Sequence, residues 1–157
     1  MYKKILVGVD GSENSMRAVE KAADLALCSG GEVHVFHAIK HFFEPSYFKI
    51  PILSDITPSL PQDISVILEA YKNMGMKLLK QAQELLKSKG LDEKIMKFTL
   101  EEFVSPEDFV EQYVKSNGID LVAVGCSGHH SKLRSLFVGS VAQKISNKAP
   151  CDVVIIR

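Results

Sequence analysis

Cysteine is scarce in this chain. Cys28, Cys126 and Cys151 are the only three in 157 residues, and no two form a CxxC pair. Their odd number and wide spacing argue against a disulfide framework or a thiolate zinc site, and point to a reduced, cytoplasmic protein. Surplus charge is missing too, with 19 Lys and Arg against 19 Asp and Glu. Nucleic-acid binding draws on excess positive charge, so no nucleic-acid partner is expected. No apolar run approaches the roughly 20 residues that span a bilayer, so no membrane partner is expected. The stretch behind Met1-Tyr2-Lys3-Lys4 stops at Asp10, too early for a secretory leader. Neither a GxxxxGK[ST] phosphate loop nor a GxGxxG dinucleotide fingerprint occurs. No Ser-His-Asp or Cys-His-Asn set can be assigned from spacing.

What remains is an ordinary globular composition, 46% apolar and 24% charged, in a length that suits one domain over residues 1–157. Residues 3–9 are β-rich and almost wholly apolar, as in a strand buried on both faces. Asp10-Gly11-Ser12 turns the chain, with Ser12 placed to cap a helix that runs to Ser29-Gly30-Gly31. A second strand is expected over 32–39, a long amphipathic helix from Ile64 towards Gly90, and a third strand over 94–100. Ser105-Pro106-Glu107-Asp108 opens a short helix. A fourth strand over 119–124, a glycine loop, a last helix and a fifth strand follow. Strands alternating with helices give an α/β fold, a doubly wound parallel sheet covered on both faces.

Residues 40–62 interrupt this alternation. They hold Pro45, Pro51, Pro58 and Pro61, with Phe42, Phe43, Tyr47 and Phe48. A loop this long inside a compact domain is usually functional or mobile. This one reads either as a surface insertion or as a segment packed on a partner subunit, on a ligand pocket or on its own helix.

The chemistry concentrates after the fourth strand, in Gly125-Cys126-Ser127-Gly128 and, ten residues on, Gly139-Ser140. Glycines let main-chain N–H groups converge on an anion, and a helix start adds unpaired donors and partial positive charge. Ser140 and Gln143 also fit a capping box, which closes a helix start with or without a ligand.

Gly125-x2-Gly128-x10-Gly139-Ser140 resembles the C-terminal signature of the universal stress protein family. Lys3-Lys4-Ile5-Leu6-Val7-Gly8-Val9-Asp10-Gly11-Ser12 and Ala149-Pro150-Cys151-Asp152-Val153-Val154-Ile155-Ile156 resemble its first and last strands. Two departures stand out: the family's second glycine spacing is nine residues, and Val104 stands where nucleotide-binding members often carry glycine. The resemblance implies a five-stranded sheet of order 3-2-1-4-5 in a Rossmann-like, adenine-nucleotide α-hydrolase-like fold. Ligands then bind beyond the carboxyl ends of strands 1 and 4, at the topological switch point.

The resemblance further implies ATP across that point. Its triphosphate would rest on N–H groups of Gly128, Gly139, Ser140 and Val141, with Mg²⁺ held through the phosphates. Val124 and Gly125 would flank the ribose, and Asp10 and main-chain groups at Ala38 would meet the nucleoside end. Asp10 reads equally as a turn former. His129, His130, Lys132 and Arg134 read as phosphate contacts or as a solvated loop. His34 and His37, three apart on a strand, face opposite sides and cannot share a metal. Cys126 reads as a small turn residue or a reactive thiol. Motifs of the related ATP pyrophosphatases and nucleotidyltransferases, SGGxDS and HxGH, are missing. Binding and signalling are therefore expected rather than turnover. The alternatives are a dimeric interaction module that binds no nucleotide and a slow ATPase. A homodimer joined through the last strand is also implied.

Overall fold

The computed structural model describes residues 1–39, 60–126 and 138–157, with backbone alone at 60–65. Among the described residues nine main elements follow in chain order: β1 (Lys4–Gly8), α1 (Glu13–Ser29), β2 (Glu32–Ala38), α2 (Leu60–Ser88), β3 (Met96–Glu101), α3 (Pro106–Asn117), β4 (Leu121–Gly125), α4 (Ser140–Lys148) and β5 (Asp152–Ile156). The five strands form one parallel sheet in the order β3-β2-β1-β4-β5. This is the doubly wound Rossmann-like arrangement expected.

Side chains alternate along each strand and bury on both faces. Ile5, Val7, Val33, Val35, Leu121 and Ala123 face one layer, built from α1 and α2 with Ala18, Ala22, Leu79, Ala82 and Leu86. Leu6, Phe36, Val122 and Val124 face the other, built from α3 and α4 with Phe109, Val110, Val114, Ala142 and Ile145. Local chemistry sets the helix ends. Ser12 caps α1 by accepting from Ser15 N–H, and Gly30 ends that helix at φ 63°. Ser105 caps α3 by accepting from Asp108 N–H, with Pro106 in the first helical position.

Several boundaries differ from expectation: β1 spans Lys4–Gly8 rather than 3–9, β2 ends at Ala38 rather than at 39, and β4 spans Leu121–Gly125 rather than 119–124. The third strand begins at Met96, because Asp92 accepts from Lys94 N–H and turns Glu93–Ile95 into a 3-10 helix. α2 begins at Leu60 and so absorbs the end of the segment expected to run to 62. A proline in a helix's first turn removes no intrahelical bond, so Pro61 is tolerated there. β5 begins at Asp152, inside the stretch 149–156 that resembles the family's last strand. The rest of the proline- and aromatic-rich segment, residues 40–59, lies outside the described residues. Among the described residues no helix is long and apolar enough to cross a membrane.

Candidate functional site

β1 and β4 are neighbours, paired with Val7 opposite Ala123. The helices that follow them lie on opposite faces of the sheet, α1 with the first layer and α4 with the second. Their carboxyl ends therefore part and leave a crevice. Asp10 stands on the β1 side. Its Oδ1 accepts from Ser12 N–H at 2.9 Å, and its own N–H donates to Ser15 Oγ at 3.3 Å. Gly11 follows at φ 81°, a conformation that favours glycine. Asp10 thus shapes the turn while its half-buried carboxylate stays beside the crevice.

Gly125 and Cys126 stand on the β4 side. A Cβ on Gly125 would lie 2.7 Å from Ser15 N and 2.8 Å from Asn14 C. The missing side chain is what lets α1 approach β4. Asn14 Nδ2 then reaches Cys126 Sγ at 3.3 Å, and Cys126 is buried as a packed turn residue. Cys126 N–H donates to Ile156 O at 2.7 Å, and its carbonyl accepts from Gly139 N–H at 2.6 Å. The first bond continues the ladder to β5, and the second brings the two ends of the glycine loop together. Gly128, His129, His130, Lys132 and Arg134 lie between those ends, outside the described residues.

α4 starts from that junction. The capping box expected of Ser140 and Gln143 does not form. Gly139 is the cap residue, with no side-chain bond to the helix, and Ser140 is already helical. The pattern is displaced by one position, so the first-turn N–H groups of α4 meet no capping side chain. Gly139 N–H itself is committed to Cys126 O, whereas Ser140 and Val141 follow with first-turn donors. Val124 is buried and Val141 half-buried, both in the α3–α4 layer.

β2 ends beside β1 with His37 and Ala38, both buried. His34 and His37 do face opposite layers. His34 Nδ1 lies 3.0 Å from Tyr113 Oη on α3, while His37 packs beside Gly75 of α2. Burial pushes both imidazoles below their ordinary pKa. Val104 turns into the α3–α4 core, and Glu101 accepts from its N–H at 3.0 Å, so its side chain belongs to packing. Among the described residues no cluster of three His, Cys, Asp or Glu could hold a metal. A separate groove of about 660 Å³ opens beyond β2, between α2 and β3, lined by Met76, Lys77, Lys80 and Phe98. Flexible lysine and methionine chains wall it, with no helix start or glycine turn, and it carries no comparable chemistry.

Sequence reasoning missed Asn14, Gly75 and the bond between His37 and Val9. Only Gly75 left a trace, as a glycine inside a long helical pattern.

The sequence pattern of the universal stress protein family matches residues 1–157. The chain belongs to that family. It is 29% identical over 157 residues to universal stress protein YxiE of Bacillus subtilis, covering all of both chains. Among solved structures it is similar to universal stress protein UspA from Lactobacillus plantarum, with TM-score 0.77 and 25% identity over 99% of this chain and 98% of that one. It also shares its fold with the universal stress protein from Archaeoglobus fulgidus in complex with dAMP. There the TM-score is 0.64 and the identity 22%, over 99% of this chain and 98% of that one.

Proposed function

We propose that this universal stress protein binds an adenine nucleotide, ATP with Mg²⁺, across the crevice between β1 and β4, and acts as a nucleotide-dependent signalling module. The observation that carries the reading is the start of α4. Its first turn has no side-chain cap and begins beside Cys126, at the carboxyl end of β4 and across from Asp10. An uncapped helix start at a switch point is suited to phosphate. The dAMP complex of the A. fulgidus relative supports the choice of adenine.

In this reading Ser140 and Val141 donate main-chain N–H groups to phosphate oxygens. Gly139 gives close access without a Cβ, and Val124 and Gly125 flank the ribose. Asp10 accepts a hydrogen bond from the nucleoside, and the Ala38 main chain meets the base. Mg²⁺ is held through the phosphates, where it neutralises charge. No side chain here is assigned as nucleophile or general base, so binding rather than turnover is the role.

Calorimetry with Mg-ATP tests this. Wild type is expected to bind with micromolar affinity, a gain of about 8 kcal/mol. Gly139→Val is expected to abolish the heat. Gly139 sits at φ −59° and ψ 150°, open to any residue, so valine is admitted by the backbone and its branches fill the phosphate approach. No heat in wild type, or equal affinity in both proteins, overturns the proposal.

A further inference from the structure

The ladder between β1 and β2 ends one rung early, and a histidine side chain ends it. In a parallel pair, a residue donates to one partner residue and accepts from the residue two further on. Val9 N–H donates to Phe36 O at 2.9 Å, so the next rung is Ala38 N–H to Val9 O. That rung is not formed among the described residues. Val9 O lies instead 2.7 Å from His37 Nδ1. A carbonyl oxygen only accepts, so Nδ1 carries the hydrogen and donates it. On its far side β2 stays paired, with Ile39 N–H donating to Glu101 O at 2.8 Å.

The ring is pinned where it sits. His37 is 2% exposed. A Cβ on Gly75 would stand 2.7 Å from His37 Cδ2 and 2.6 Å from Leu100 Cδ1. α2 therefore presents glycine against the imidazole, and the ring fills the space between α2 and the strand ends. Because burial holds the imidazole below its ordinary pKa, the ring is neutral near pH 7.

We propose that His37 is a positioning residue for nucleotide binding. By occupying Val9 O it keeps β1 from pairing with Ala38, and so leaves the Ala38 main chain open at the crevice. A strand residue freed in this way presents an N–H donor and a C=O acceptor side by side. That pair complements the edge of adenine, which offers a ring-nitrogen acceptor next to an amino donor. The second half of the proposal rests on the nucleotide reading above, whereas the early end of the ladder does not.

NMR of the ligand-free protein decides the first half. The expected spectrum has His37 as the Nδ1–H tautomer and no through-hydrogen-bond coupling between Ala38 N and Val9 C′. An Nε2–H tautomer, or that coupling in wild type, overturns the proposal. His37→Leu removes the donor and is expected to produce the coupling. Its Mg-ATP affinity is expected to fall by about tenfold, the scale of one hydrogen bond. His37→Asn, whose amide nitrogen can stand near the position of Nδ1, is expected to restore affinity to within about threefold, under 1 kcal/mol. A leucine variant that binds as wild type does, or an asparagine variant no better than leucine, overturns the positioning role. Should wild type bind no Mg-ATP, the nucleotide reading fails, and the ligand-free spectra still decide whether His37 ends the ladder. Those spectra require only wild type, so a leucine variant that fails to fold leaves the test intact.

Discussion

Asp10 serves two purposes with one carboxylate. Oδ1 holds Ser12 N–H and with it the turn into α1. In the nucleotide reading the same group also accepts from the nucleoside. Asparagine keeps an acceptor oxygen for Ser12 and removes the charge, so it separates the two uses. Asp10→Asn is expected to keep the melting temperature of wild type and to lose about 1.5–3 kcal/mol of Mg-ATP binding, the usual contribution of a hydrogen bond to a charged group. Asp10→Ala is expected to lose stability as well, by about 1 kcal/mol. Thermal melts beside calorimetry distinguish these cases. An asparagine variant with wild-type affinity would confine Asp10 to the turn.

The two buried histidines set a pH response at the same scale. Burial lowers both pKa values in the folded protein, while the unfolded chain titrates near the ordinary value of about 6.5. Below that pH the unfolded state binds more protons than the folded one. Their contribution is therefore complete above about pH 6.5 and is lost as pH falls towards the folded values. Most carboxylates titrate below about pH 5, which leaves the window from about 6.5 to 5 to histidine. Urea unfolding is expected to weaken across it, by at most about 1.4 kcal/mol per pH unit for each histidine. His37→Asn is expected to remove one share of that slope. A slope unchanged in this variant would show that His37 does not titrate as its burial requires.

At the scale of elements, glycine marks where two segments touch. Gly125 needs no unusual φ, and what it provides is room for Asn14 and Ser15 at the start of α1. The obstacle to a Cβ there is backbone, which cannot rotate aside. Gly125→Ala is expected to push α1 outward and cost about 1–3 kcal/mol, the range for overpacking. Chemical denaturation measures it, and a variant as stable as wild type would mean that α1 can shift freely.

This contact also marks the limit of what could be read in the sequence. The order of elements, the cap at Ser12 and the helix opening at Ser105-Pro106 were legible, because hydrophobic period and capping chemistry act over a few neighbouring residues. The switch point between β1 and β4 followed from the family resemblance. The boundary at Met96 was not legible, since Lys94 and Ile95 fit an alternating pattern that the Asp92 side chain overrides. Ser140 and Gln143 matched a capping box, and the helix starts one residue earlier than that pattern needs. The bonds of His37 to Val9 and Asn14 to Cys126 join residues on different elements. Nothing within one segment announces them. The crevice between β1 and β4 was thus legible as a location, but the side chains that shape it were not, nor was the bond from Gly139 N–H to Cys126 O.

At the scale of the whole molecule, the sheet has two edges, and they differ. β3 carries Lys97 on its exposed side, ion-paired with Glu32 at 3.1 Å, which suits an edge that faces water. β5 carries Val153, Val154, Ile155 and Ile156, each only half-buried, with β4 on one side and no strand on the other among the described residues. Val154 and Ile156 lean on one core layer, and Val153 and Ile155 on the other. Both faces of this strand therefore keep apolar surface exposed beside a row of open main-chain groups. Such an edge favours pairing with another chain. A two-fold axis lets β5 of each copy pair antiparallel and closes the assembly at two. We propose that the protein is a homodimer joined in this way. Light scattering at low micromolar concentration is expected to give twice the chain mass of 17.4 kDa. Cys126 N–H donates to Ile156 O, which turns the Val154 and Ile156 main chains toward β4 and leaves those of Val153 and Ile155 on the open edge. Val153→Pro with Ile155→Lys removes an open-edge donor and places charge on that edge, and is expected to yield monomer. A monomer mass for wild type refutes the dimer. A double variant that still dimerises moves the interface away from β5. A monomeric variant that still binds Mg-ATP would show that the crevice is complete within one chain, as its position between β1 and β4 requires.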